Sequence, residues 1–217
     1  MNRLGPGNRG ASRERRVMVY VDGFNLYYGL KSKGWRRYYW LDIRALSENL
    51  MREDQRLVGV RYFTARITGR QRDKKKRQST YLEALEADGG VKLHFGHYLA
   101  KRRECRRCGL RWTVYEEKMT DVNVAVELLG DTQDDVFDTA IVMSADSDLA
   151  GPVQAVISRY ADKRAIAVFP PGRRSDRLRR VASASFTVGR KVLKDSQLPD
   201  EVVKRDGFVL RRPERWR

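Results

Sequence analysis

Residues 17–25 read Val17-Met18-Val19-Tyr20-Val21-Asp22-Gly23-Phe24-Asn25. The first five are nearly all apolar and rich in β-branched valine, the pattern of a strand buried on both faces, as strands of parallel sheets are. Asp22-Gly23 then reads as a turn. Similar runs occur at residues 57–67, 91–99, 139–143 and 165–169. Between them, residues 26–31, 43–51, 71–87, 119–129 and 149–160 have helical character. This alternation predicts an α/β fold, a doubly wound, mostly parallel sheet with helices on both faces and right-handed connections.

Two stretches depart from the alternation. Residues 100–116 are basic, carry Cys105 and Cys108, and include Trp112-Thr113-Val114-Tyr115, so a β-ribbon insertion is expected there. After Phe169, Pro170-Pro171-Gly172-Arg173-Arg174 reads as a loop, followed by a short helix near 176–182 and a last strand near 186–188. With 217 residues, the chain is expected to form one domain over 16–197, with a flexible basic tail at 1–15 and a peripheral tail at 198–217.

The chain has 45 Lys and Arg against 28 Asp and Glu, a formal net charge of +17. So large an excess points to a polyanionic partner, because basic side chains release counterions when they replace them at phosphates. No apolar run reaches membrane-spanning length and no basic amphipathic helix has a bulky apolar face, so a membrane is not the expected partner. The amino-terminal residues lack the apolar segment of a secretory signal, and the expected location is the cytoplasm.

Against this basic background, several acids fall at strand ends. In an open parallel sheet, residues just past the carboxyl ends of the strands share one rim. Asp22 follows the first strand, Asp146 and Asp148 follow the strand at 139–143 in Ser144-Ala145-Asp146-Ser147-Asp148, and Asp121 opens the helix that feeds that strand. Each acid has an ordinary role available as a turn residue or helix cap. Gathered together without a cation they would repel one another and raise their own pKa values, a conflict that a divalent ion relieves. Oxygen ligands suit Mg²⁺ or Mn²⁺, which also engage phosphate oxygens. Asn25 offers an amide to a metal-bound water or a phosphate oxygen. Lys118, taken as lying one helical turn before Asp121, offers positive charge to a scissile phosphate.

These residues resemble the three motifs of the NYN domain family: Val21-Asp22-Gly23-Phe24-Asn25, Glu117-Lys118-Met119-Thr120-Asp121-Val122 and Ser144-Ala145-Asp146-Ser147-Asp148. The resemblance covers about residues 17–188, and the Pro170-Pro171-Gly172 loop with Leu198-Pro199-Asp200-Glu201 is similar to the bacterial LabA-like branch. It implies a PIN-like nuclease fold, RNA as the usual substrate class, and Asp22, Asn25, Asp121, Asp146 and Asp148 at the family's metal-site positions. Ser147 stands where the family usually has glycine, which leaves that loop less free to adopt positive φ.

Basic residues concentrate at 66–77, 101–111 and 173–180. Arg66, Arg70, Lys74, Arg173, Arg174 and Arg177 are the candidate RNA contacts. Trp35, Tyr38, Tyr39, Trp40 and Trp112 lie near them, where stacking would favour single-stranded RNA or structured RNA with unpaired segments, although core packing is the commoner use of such rings. Cys105-Arg106-Arg107-Cys108-Gly109 resembles half of a zinc knuckle. It is either a reduced dithiol or a structural Zn²⁺ site, completed by His94 or His97, of which a regular strand lets at most one reach, or by a second chain in a homodimer. The expected function is a metal-dependent endoribonuclease. The alternative is a non-catalytic RNA-binding or regulatory module of the same fold, and an aspartyl phosphatase is disfavoured because no second acid follows Asp22 closely.

Overall fold

The computed structural model describes residues 13–69 and 71–217; Arg70 and the amino-terminal residues 1–12 lie outside the described residues. The opening run forms β1 (Arg15–Asp22). It is flanked on one side by β2 (Gln55–Ala65) and on the other by β5 (Thr139–Met143), both parallel to it. With β3 (Val91–Glu104), β4 (Arg111–Lys118), β6 (Arg164–Phe169) and β7 (Ala184–Thr187), these make a seven-stranded sheet in the order β4-β3-β2-β1-β5-β6-β7. All its pairings are parallel except β3 with β4. The expected fold class is therefore the observed one.

Strand alternation sorts the core into two layers. Val17, Val19 and Val21 face one layer, with Leu26 and Leu30 of α1 (Gly23–Ser32), Ile43 and Leu46 of α2 (Ile43–Glu48), and Leu82 and Leu85 of α3 (Arg72–Asp88). Met18 and Tyr20 face the other, with Val124 and Leu128 of α4 (Thr120–Gln133), Val153 and Val156 of α5 (Ala150–Arg159), and Leu178 of α6 (Asp176–Val181). Each such buried aliphatic contributes about 1.5–3 kcal/mol. Helices thus cover both faces, and the chain returns across the sheet so that the strand order reverses at β1 and β5.

The ribbon is the outer half of β3 itself. After Gly96, the last residue paired with β2, β3 runs on and pairs antiparallel with β4 from His97 opposite Lys118 to Glu104 opposite Arg111. The hairpin begins somewhat earlier than residue 100, because β3 stays extended past the edge of β2.

Beyond β7 lie α7 (Arg190–Asp195) and an antiparallel pair, β8 (Glu201–Val203) with β9 (Val209–Arg211). A final 3-10 turn at Glu214–Trp216 seats Trp216 against Tyr39, Trp40 and Tyr81, with ring centroids at 5.7, 6.3 and 6.1 Å. Among the described residues, no helix is long and apolar enough to cross a membrane.

Candidate active site

The strand order reverses between β1 and β5, and in open α/β sheets ligands bind outside the carboxyl ends of the strands at such a point. Asp22 closes β1 and caps α1: its Oδ1 accepts the Asn25 N–H at 2.9 Å. Its Oδ2 accepts the Asn25 side-chain amide at 2.6 Å and the Ser144 hydroxyl at 2.9 Å. Ser144 follows β5 directly, and its Oγ accepts the Asp146 N–H at 3.0 Å. Asp146 in turn caps the short 3-10 turn Ser147–Leu149 by accepting the Asp148 N–H at 2.9 Å. A chain of hydrogen bonds, local within each motif and joined by Ser144 to Asp22, therefore fixes the first and third motifs to each other.

Asp121 enters from α4. Burial, and then the charges of Asp146, Asp22, Glu117 and Asp148, push its carboxyl up to about 7. Burial also raises the Asp22 carboxyl, against the lowering pull of the Asn25 and Ser144 donors. Both shifts have the sign expected of acids crowded together without a compensating cation. The structure thus brings Asp22, Asp121, Asp146 and Asp148 to one rim. It does not arrange them as a finished cage: among the described residues, no three His, Cys, Asp or Glu side chains stand close enough to hold an ion jointly.

Asn25 is only 8% exposed. Its amide is spent on Asp22, and its Oδ1 faces the Ala145 N–H at 3.4 Å. It locks the two strand ends together, a positioning role in place of the expected contact with water or phosphate. Lys118 is also placed differently from the expectation. It ends β4 and does not lie on α4, because Met119 turns the chain with a φ of 80° before the helix begins, and its ammonium stands 3.5 Å from Glu116. A left-handed conformation in a non-glycine residue costs on the order of 1 kcal/mol and is tolerated where surrounding contacts impose it. The corner packs tightly on Gly96, where a Cβ would meet the Lys118 carbonyl oxygen at 2.5 Å and Glu117 Oε1 at 2.8 Å.

Three participants escaped the sequence reading. Glu117 accepts the Thr120 N–H at 3.0 Å and adds to the charge on Asp121. Ser144 bridges the first and third motifs. Gly96 lets the corner that carries Asp121 lie against β3. Glu117 and Ser144 stood within quoted motifs, and the Glu117 bond to Thr120 is local, but nothing in sequence spacing reports the Ser144 bond to Asp22 across the sheet.

Of the candidate RNA contacts, Arg66 is exposed and lies 4.8 Å over the Phe95 ring. Lys74 is exposed on α3, and Arg173, Arg174 and Arg177 are exposed around the loop after β6; Arg70 lies outside the described residues. Gly29 of α1 admits that loop, since a Cβ there would meet Pro170 and Pro171 at 2.8 Å. Tyr38, Tyr39 and Trp40 are buried in the core, whereas Trp112 is 46% exposed on the ribbon.

Cys105 and Cys108 are free thiols at the hairpin tip. The backbone N–H groups of Cys108 and Arg107 and the Cys108 thiol hold the Cys105 thiol below its ordinary pKa. Neither histidine can complete a zinc site in the same chain. His94 is engaged at the far end of β3, stacked on Phe63 at 4.8 Å with Nδ1 3.3 Å from Glu127. His97 opens the ribbon opposite Lys118, and the strand rise of ~3.3 Å per residue puts Cys105, eight residues on, roughly 25 Å away.

A protein of Pseudomonas putida named 6-hydroxy-3-succinoylpyridine 3-monooxygenase is 31% identical over 194 residues, covering 73% of this chain and 61% of that protein. The chain thus spans less than two thirds of that relative. A crystal structure of a protein of unknown function from Vibrio parahaemolyticus is similar in fold, with a TM-score of 0.54 at 17% identity over 87% of this chain and 99% of that one. The sequence profile of the NYN domain matches residues 16–191, which include every acid of the rim. This chain belongs to the NYN domain family.

Proposed function

We propose that the protein is a metal-dependent endoribonuclease of the LabA-like branch, acting at the rim formed by Asp22, Asp121, Asp146 and Asp148. The observation that carries this reading is the crowding of these acids at the strand reversal, which pushes Asp121 up to about 7 while the chain as a whole carries a net charge of +17. A protein that only bound RNA would gain nothing from negative charge in the path of a phosphate.

The donor set is all oxygen, as Mg²⁺ and Mn²⁺ prefer, and the looseness of the cluster suits ions that keep several of their waters. Asp22, Asp121, Asp146 and Asp148 would hold the ion. When bound, such an ion polarises a phosphodiester and lowers the pKa of water. Asn25 and Ser144 keep Asp22 in register with the β5 end, and Met119 and Gly96 set the angle at which Asp121 arrives. The basic loop with Arg173, Arg174 and Arg177, together with Lys74 and Arg66, would hold the RNA strand.

The name of the Pseudomonas relative speaks of another chemistry, oxygenation of a pyridine, and for this chain the acidic rim favours phosphodiester hydrolysis. A second reading, a non-catalytic RNA-binding module, draws support from the absence among the described residues of a ready-made three-ligand group.

Asp146→Asn keeps the side-chain volume and removes a charged ligand. Cleavage of a labelled RNA in Mn²⁺ should fall at least ~100-fold, while RNA affinity stays equal or rises. Cleavage by a folded Asp146→Asn variant at the parent rate would sink the assignment. A parent protein that binds RNA but cleaves none with any divalent ion would establish the binding module.

A further inference from the structure

One residue beyond Asp22 the sheet rim opens into a cavity of about 660 Å³, walled by α1, α3, the end of β2 and the base of the ribbon. Gly23 and Phe24 line it. Phe24 meets the edge of Tyr98 at 6.2 Å, and the Tyr62 ring lies directly beneath Gly23, where a Cβ would come within 2.5 Å of its hydroxyl. The Asp22 charge, after burial, raises that hydroxyl's pKa. The cavity and the acidic rim are therefore neighbours along one edge.

Its lining is aromatic and cationic. Tyr27, Tyr28 and Tyr115 stand at 38%, 47% and 46% exposure, and Tyr39 and Trp216 lie deeper. Tyr27 is in contact with both Tyr28 and Tyr39, at centroid distances of 5.3 and 5.0 Å. Lys31, Lys74, Arg77 and Arg215 stand among the rings, and among the described residues no carboxylate lines the cavity, although the chain has 28 Asp and Glu. The wall is built rather than loose: Gln78 of α3 accepts the Ile67 N–H at 2.7 Å and donates to the Ala65 carbonyl at 2.9 Å, pinning the loop after β2. A core void would be enclosed and apolar, and an ordinary solvated basic face would not gather so many rings.

Exposed rings that expect a flat partner, beside cations that expect an anion, match a nucleotide: π-faces stack on any base, and lysine and arginine take the phosphate. The volume falls within the ~300–1,000 Å³ of pockets that enclose ligands of that size. We infer that this cavity is a subsite for an unpaired nucleotide of the RNA strand, its base held among Tyr27, Tyr28 and Tyr115 and its phosphate by Lys74 and Arg77. It makes the enzyme a reader of single-stranded segments, since a base can enter only when unstacked. The inference rests on the ribonuclease reading for the identity of the strand but needs neither cleavage nor metal.

The test is therefore done in EDTA, with the full chain and a fluorescein-labelled single-stranded RNA oligomer carrying 2-aminopurine at successive positions. Parent protein should change the 2-aminopurine emission at one or two positions. Tyr28→Ala should weaken single-strand binding about tenfold. Tyr28→Phe, which keeps the ring, should bind like the parent, and an abasic nucleotide at the responsive position should abolish the difference between parent and Tyr28→Ala. Binding of the same sequence as a duplex should not change. The inference is overturned if Tyr28→Ala binds single strands like the parent, if duplex binding falls equally, or if a free nucleoside monophosphate binds as tightly as the oligomer. Cleavage is then measured separately in Mn²⁺. A parent that cleaves while Tyr28→Ala binds normally would remove the subsite and leave the nuclease, whereas a Tyr28-dependent strand that is never cut would leave the subsite and remove the nuclease.

Discussion

At the scale of single residues, the acids show how the same side chain serves opposite purposes. Asp138, paired with Arg16 at 2.8 Å, is held down to about 2, so its contribution to stability is present above the ordinary carboxylate range and lost as pH falls toward 2. Asp121 is pushed up to about 7 by burial and neighbouring acids, so its linkage has the reverse sign. Its folded form holds a proton that the unfolded chain would release near pH 4, and stability is lost as pH rises from about 4 to 7. Allowing for solvent screening of a half-buried group, the loss at pH 8 is on the order of 1–2 kcal/mol. Asp121→Asn should therefore raise the Tm of metal-free protein at pH 8 and leave it nearly unchanged at pH 4.5. Mn²⁺ should raise the parent Tm at pH 8 and have much less effect on the variant. Thermal melts at both pH values decide the matter, and parallel shifts of parent and variant with pH would show that Asp121 is not the strained acid.

At the scale of elements, what the sequence reveals depends on whether the signal is local. The β1 run of valines, the alternation with helices and the Asp22 cap can all be read from neighbouring residues, and with them the fold class. The tight corner at Met119 cannot, because it packs against Gly96 of the neighbouring strand, a contact remote in sequence, and so Lys118 read as helical when it ends a strand. Residues 198–217 read as a peripheral tail; Leu210 and Trp216 are buried there, and the packing of Trp216 on Tyr39, Trp40 and Tyr81 is wholly long-range. The cysteine hairpin lies between these cases: the turn was legible and the isolation of its tip was not. With both histidines committed or distant, the reduced pair is the expected state. Protein purified without chelator is expected to be free of zinc, with two thiols open to a colorimetric reagent. About one zinc ion per two chains, lost together with a dimer in Cys105→Ser, would establish a shared zinc site in its place.

At the scale of the whole molecule, the charge of +17 and the small acidic rim divide the work of binding from that of cutting. A strand attracted by the basic surface gives up condensed counterions, so affinity should fall linearly on a logarithmic salt scale, with a slope of about −0.7 for each single-strand phosphate contacted. Arg173 and Arg174 extend from the loop after β6, which rests on α1 beside the rim, and they lie outside the acid cluster. Reversing both to Glu should weaken RNA binding for every sequence tested and flatten the salt slope by about 1–2, while an RNA bound at saturating concentration is still cleaved at nearly the parent rate. That pairing of effects is the mirror image of Asp146→Asn, in which binding survives and cleavage does not. Titrations between 50 and 300 mM salt read the slope directly. A double reversal that left the slope unchanged would mean that the strand enters elsewhere, and one that abolished cleavage at saturation would mean that the loop acts in the chemical step as well as in capture.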